Sequence, residues 1–197
     1  EMMENSQSWR RIKECFSHRV FLEKFVGARI LNLPKTAIIE LVANAWDAGA
    51  TTVEISWPNS TSAFAIEDHG IGMTDDEFQR RWRELSYDRV AEQGDTVKVI
   101  GKKGAIRQCF GCNGVGRFAG FAFAEEYYVE TWRDGTSNTY RVAKGNDQPF
   151  VVRRTTHADK AGSGARIYLK TAETLGTTSD DIPPMTCAAN GNPIKNS

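Results

Sequence analysis

The chain has 197 residues, with 25 basic and 25 acidic side chains and a formal net charge of zero. That balance argues against a broadly basic nucleic-acid-binding domain, although a local patch stays open. The length suits one domain with a sizeable core; no apolar run approaches a membrane span, and no secretory pattern stands at the start. A cytoplasmic setting is the simplest expectation. A start at Glu1 in place of Met is expected of a piece of a longer protein.

In chain order, "ENSQSWRRIKECFSHRVFLEKFV" has helical spacing and mixed charge. Residues 1–34 are therefore expected to form an N-terminal helical segment or dimer arm. Pro34 suits the opening of a main helix that runs to about Ala48, with Gly49 ending it. Within it Glu40, Asn44 and Asp47 recur at i, i+4 and i+7, which places them on one face. Ile38, Leu41, Val42 and Ala45 fall on roughly the opposite arc. A solvated polar face over a buried one is the ordinary outcome of such a pattern. The composition of this face points further. Glu40 can polarise a water as a general base. Asn44 offers a hard, neutral amide oxygen suited to Mg²⁺. Asp47 can hold a water, a backbone group or a nearby side chain.

"TTVEISWP" reads as a strand closed by Pro58 and Asn59, and "SAFAIED" as its hairpin partner. The second strand stops at the glycines of "IEDHGIGM", so Asp68 stands where a strand becomes a loop. A carboxylate there can accept a hydrogen bond from an amino group such as adenine N6. Gly70 and Gly72 let the backbone approach a flat ring. The plainer alternative is an Asx-type turn closed by Asp68. Thr74 caps a helix over "DDEFQRRWRELS". From about 87 to 113 the chain is polar, Gly-rich and poorly periodic, and a loop of that length in a compact domain is usually functional or disordered. "VGRFAGFAFA" then predicts a helix whose N-terminus can face phosphate. The strands "EYYVETWRD", "SNTYRVAKG", "FVVRRTTH" and "ARIYLKT" follow, and residues 173–197 read as a linker or disordered tail. Helices first, then consecutive strands, predict an α+β two-layer sandwich, with helices on one face of a mixed, mainly antiparallel sheet.

The two motifs "ELVANAWDAGA" and "IEDHGIGM", in this order, resemble those of the ATP-binding domain shared by DNA gyrase, the ninety-kilodalton heat-shock chaperone, histidine kinases and MutL, the GHKL group. The resemblance covers about 35–170 and implies an ATP-binding domain over 35–172 with the Bergerat-type sandwich. It implies Glu40 as catalytic base, Asn44 as the Mg²⁺ ligand and Asp47 as a further acidic site residue. Asp68 resembles the adenine acceptor, with Gly70, Gly72 and Met73 lining the base. "GCNGVGRFAGF" resembles the third motif, with Gly114, Val115, Gly116, Arg117 and Phe118 at the nucleotide and the segment 87–113 as an ATP lid. The implied cofactors are ATP and Mg²⁺, and the implied activity is slow ATP hydrolysis. The implied partners are a second copy of the chain on nucleotide binding and a protein or DNA client.

"DAGAT" looks most like the MutL and MORC ATPases, while the third motif departs from MutL. Asp47 stands where histidine kinases usually carry a basic residue, and Glu40 favours transfer to water over transfer to histidine. A non-catalytic nucleotide-binding interaction module is the first alternative, and a histidine-kinase catalytic domain the second. The family commonly carries Gly-Thr on a late strand, its Thr touching the adenine-binding Asp. Here Ala165 follows Gly164, with Ser163 or a water as substitute, and His69 stands where Asn is common. In the family a second domain often supplies a Lys or Arg to the γ-phosphate. Within this chain Lys102, Lys103, Arg107 and above all Arg117 are the candidates to counter triphosphate charge. Cys109 and Cys112, with Cys15 and His18, have zinc-ligand spacing, but free thiols are the expectation.

Overall fold

The computed structural model describes Val26 and residues 32–58, 63–83, 89–111, 114–145 and 149–169. The expected N-terminal helix (Val26 and 32–34 apart), the expected tail, Cys15, His18 and Cys112 lie outside the described residues. Among the described residues no helix is long and apolar enough to cross a membrane.

Helix α1 spans Pro34–Asp47, with Pro at its start, as the sequence predicts. Gly49 ends it in the left-handed region, φ +79°. Strands β1 (Val53–Ser56) and β2 (Ala65–Asp68) pair antiparallel as the expected hairpin partners. Helix α2 (Asp75–Arg83) starts from a capping box. The Thr74 N–H donates to Glu77 Oε2 at 3.0 Å, and the Glu77 N–H returns to Thr74 Oγ1 at 3.3 Å. The described residues of the segment 87–113 are not one long loop. They contain a short helix α3 (Arg89–Gln93) and a two-stranded hairpin, β3 (Thr96–Lys98) against β4 (Ile106–Gln108). Gly101 and Gly104, both at φ +74°, let this hairpin turn. Poor hydrophobic periodicity concealed it, because both strands are largely exposed. The expected helix after Gly114 is a 3₁₀ helix, Val115–Ala122.

Strands β5 (Glu126–Arg133), β6 (Thr136–Lys144), β7 (Phe150–Asp159) and β8 (Gly164–Tyr168) complete one sheet, ordered β1-β2-β8-β5-β6-β7. Every pairing in it is antiparallel. Asp134 and Gly135, at φ 55° and 83°, form the two-residue turn between β5 and β6 that Asp-Gly favours. Alternate residues face the helices. Ile66, Tyr127, Val129, Tyr140, Val142 and Val152 join Ile38 and Leu41 of α1, Phe78 and Trp82 of α2 and Phe118 of the 3₁₀ helix in one buried core. Phe78 stacks on Tyr140, with ring centroids 3.6 Å apart. The Tyr140 hydroxyl donates to Asp75, and that bond holds the Asp75 carboxyl below its ordinary range. The helices thus form one layer on one face of the sheet, the α+β sandwich that the element order predicts.

Candidate functional site

The last strand of the sheet inserts between β2 and β5. That puts Asp68, Ala165 and Thr131 side by side in one row, pointing to the helical layer. Burial pushes the Asp68 carboxyl up to about 6, against hydrogen bonds and the nearby His69, which pull the other way. Asp68 Oδ1 accepts the Gly70 N–H at 2.8 Å, so the Asx-type turn is present. Asp68 also lines a cleft of about 170 Å³, so the turn does not withdraw it from that cleft.

The glycine turn is docked tightly. The Ile71 N–H bonds Ala48 O at the end of α1, and the Thr131 hydroxyl accepts the Met73 N–H at 2.8 Å. Gly72 has φ +64°, and a Cβ there would lie 2.2 Å from the Trp132 carbonyl oxygen. Gly72→Ala is therefore expected to destabilise the fold by roughly 1–3 kcal/mol from backbone strain alone, with more from the clash. Thermal denaturation checks this; an unshifted melting temperature would contradict the geometry.

Ser163, proposed from sequence as the substitute partner of Asp68, instead bonds the Gly70 carbonyl at 2.7 Å. The side-chain hydroxyl nearest in register is that of Thr131, opposite Ala165. It is fully buried and serves the Met73 and Gly164 backbone. His69 is exposed at the turn, its ring edge-on to Trp132.

On α1, Glu40 is half-buried and Asn44 exposed. Burial raises the Glu40 carboxyl above its ordinary value. Gly116 lies directly over the pair. A Cβ there would stand 2.8 Å from a Glu40 carboxylate oxygen and 3.4 Å from the Asn44 amide oxygen. A side chain at Gly116 would displace the Glu40 carboxylate, so glycine leaves that carboxylate in place beside Asn44. Asn44, Asp47, Asp68, Gly72, Met73, Gly114 and Arg117 all line the cleft. Glu40, Gly70 and Gly116 border it without lining it.

Two residues of the third motif are not brought to the cleft. Phe118 is fully buried in the core against Phe121 and Phe150, and Val115 packs on that core. The first half of a 3₁₀ helix cannot turn every side chain to one ligand. Lys102 and Lys103 sit at the β3–β4 turn and Arg107 packs on α1, none of them lining the cleft. Arg117 does line it, with a guanidinium N–H held by Gly114 O at 2.6 Å. Sequence reasoning missed Arg81, Trp82 and Gln93, and the apolar walls Ile66, Val129 and Ile167. The walls were legible as inward strand positions, whereas nothing in α2 marked Arg81 or Trp82. Among the described residues no cluster of His, Cys, Asp and Glu could hold a metal by itself, and Cys109 is a free thiol.

The model of the family described as "Histidine kinase-, DNA gyrase B-, and HSP90-like ATPase" matches residues 31–161. The chain belongs to this family. Within the ATPase family, it is 30% identical over 150 residues to the chaperone protein HtpG of Chlorobium luteolum, covering 56% of this chain and 22% of that one. It is 29% identical over 108 residues to "Putative type II restriction enzyme HgiDII" of Herpetosiphon aurantiacus, covering 55% of this chain and 16% of the other. The chain spans about a fifth of the length of these curated relatives. A solved N-terminal domain of a DNA repair protein matches with a TM-score of 0.46 and 17% identity, over 75% of this chain and 38% of that one. The α+β sandwich and the motif order agree with membership of the ATPase family.

Proposed function

We propose that this ATPase-family chain binds ATP in the cleft, hydrolyses it slowly and acts as a nucleotide-driven switch or dimerisation clamp within a larger protein. The observation that carries the reading is convergence. A carboxyl raised by burial, a neutral amide oxygen and two glycines come together at an apolar cleft that a second raised carboxylate, Asp68, also lines.

In this reading Asp68 accepts the adenine amino group. Ile66, Met73, Val129 and Ile167 supply apolar walls for the ring. Gly114 and Arg117 serve the phosphates, by close backbone approach and by positive charge. Glu40 takes the proton of the attacking water, and its raised basicity suits that task. Asn44 is the protein ligand for Mg²⁺. The donor chemistry fits, since Mg²⁺ needs few protein ligands when phosphates and waters complete its shell. That ion supplies charge neutralisation on the phosphates. Ala165 favours one second reading, a module that binds nucleotide without turning it over. A relative named as a chaperone and one named as a restriction enzyme support a module that serves protein or DNA clients.

Calorimetric titration of the chain with ATP and Mg²⁺, with size-exclusion alongside, tests the proposal. Saturable binding with a shift to dimer is expected. A folded protein that binds no ATP overturns it.

A further inference from the structure

Asp47 lines the cleft, yet its carboxylate is already engaged. Oδ1 accepts the Phe110 N–H at 2.6 Å and Oδ2 accepts the Gly111 N–H at 2.9 Å. One carboxylate spanning two successive amides fixes that peptide's orientation as well as its position. A second group of contacts surrounds this pair. The Trp46 indole N–H donates to Gln108 O at 2.9 Å. The Arg107 guanidinium lies 3.8 Å over the Trp46 ring and donates to the carbonyls of Trp46 and Ala50. Helix α1 has no basic residue in its own last turn, so Arg107 brings the positive charge that its C-terminal carbonyls favour. The Ile100 N–H bonds Gly49 O at 2.9 Å. A Cβ at Gly49 would stand 2.3 Å from Lys98 O, so glycine is required where the hairpin meets the helix end.

We propose that Asp47 is a positioning residue of this ATPase site. It anchors the Phe110–Gly111 backbone and thereby sets the glycine loop that lays Gly116 over Glu40 and Asn44, with Trp46 and Arg107 as the other half of the anchor. The proposal rests on the ATP reading of the cleft and assigns Asp47 no contact with the nucleotide. Transmission is short: three residues lead from Gly111 to Gly114, at most about 11 Å of extended chain. A loosened Gly111 therefore loosens the backbone that faces the phosphates, while Asp68 at the adenine end keeps its strand pairing between β1 and β8.

The experiment compares the full chain with Asp47→Asn, Arg107→Met and the double variant. It reads amide hydrogen exchange at Phe110 and Gly111 without nucleotide, and calorimetric affinities for Mg²⁺-ATP and for adenosine. Asn keeps the shape of Asp47 but can accept only one of the two N–H groups. Faster exchange at both amides is expected, with about tenfold weaker ATP binding and adenosine affinity kept within about twofold. Arg107 does not line the cleft, so Arg107→Met should reproduce this ATP-selective loss. The double variant should lose little more than the worse single one.

Unchanged exchange in Asp47→Asn would overturn the anchor. So would loss of ATP binding in Asp47→Asn with none in Arg107→Met, which would place Asp47 on the nucleotide itself. If the unmodified chain binds neither ligand, the ATP reading fails, and the exchange data still decide whether Asp47 anchors the loop.

Discussion

Glu40→Ala is expected to keep ATP binding within a few-fold while lowering phosphate release on the order of 10²- to 10⁴-fold, the usual share of a general base. Glu40 borders the cleft without lining it, so its removal takes away little binding surface. It stands under Gly116 and beside Asn44, where the proposed reading puts the γ-phosphate and its water. Its raised carboxyl gives the sign of the pH dependence. Turnover at saturating ATP should fall as pH drops through the raised Glu40 value, since only the ionised form takes a proton. Steady-state phosphate release and a binding titration on the same variant decide this. Surviving phosphate release would move the base elsewhere. No phosphate release from the unmodified chain, with ATP bound, would establish the non-catalytic module.

Asp68→Asn should weaken ATP about 10- to 150-fold, the range for losing a charge-assisted hydrogen bond of roughly 1.5–3 kcal/mol. Affinity of the unmodified chain should also fall as pH drops through about 6, because protonation removes the charge that strengthens that bond. Stability moves the other way. A carboxyl raised on folding favours the folded state fully below its unfolded value near 4, and that favour is lost as pH rises through about 6. The loss is on the order of 2–3 kcal/mol, which Asn avoids because it does not ionise. Relative to the unmodified chain, the nucleotide-free Asp68→Asn variant should therefore gain melting temperature between pH 4.5 and pH 7.5. Binding and stability would then trade at one residue. Unchanged ATP affinity would sink the adenine assignment, and a melting difference independent of pH would mean the carboxyl is not raised.

Several residues that line the cleft were legible in the sequence, but their neighbours were not. Glu40, Asn44 and Asp47 were legible because helical period alone puts them on one face, and Pro34 and Gly49 mark the helix ends. Asp68 was legible because strand alternation stops at glycines. The partner of Asp47 was not, because Phe110 and Gly111 offer only backbone N–H groups, which every residue has. Arg107 read as a candidate for phosphate, yet its distance from the cleft depends on where an exposed hairpin folds back. Phe118 read as a site residue because it follows the motif glycines. The pitch of the 3₁₀ helix sends it into the core instead.

The sequence by itself determined the main helix, the strands of the large sheet, the Thr74 cap and the family, since each depends on residues near one another in the chain. Only the tertiary structure decided that β8 lies between β2 and β5, which sets Ala165 beside Asp68 and Thr131. It alone decided that Gly116 covers Glu40 and Asn44, and that the hairpin docks on the end of α1. These are contacts between segments tens of residues apart. Strand insertion and loop docking are chosen by shape and by shared burial, and local pattern carries neither.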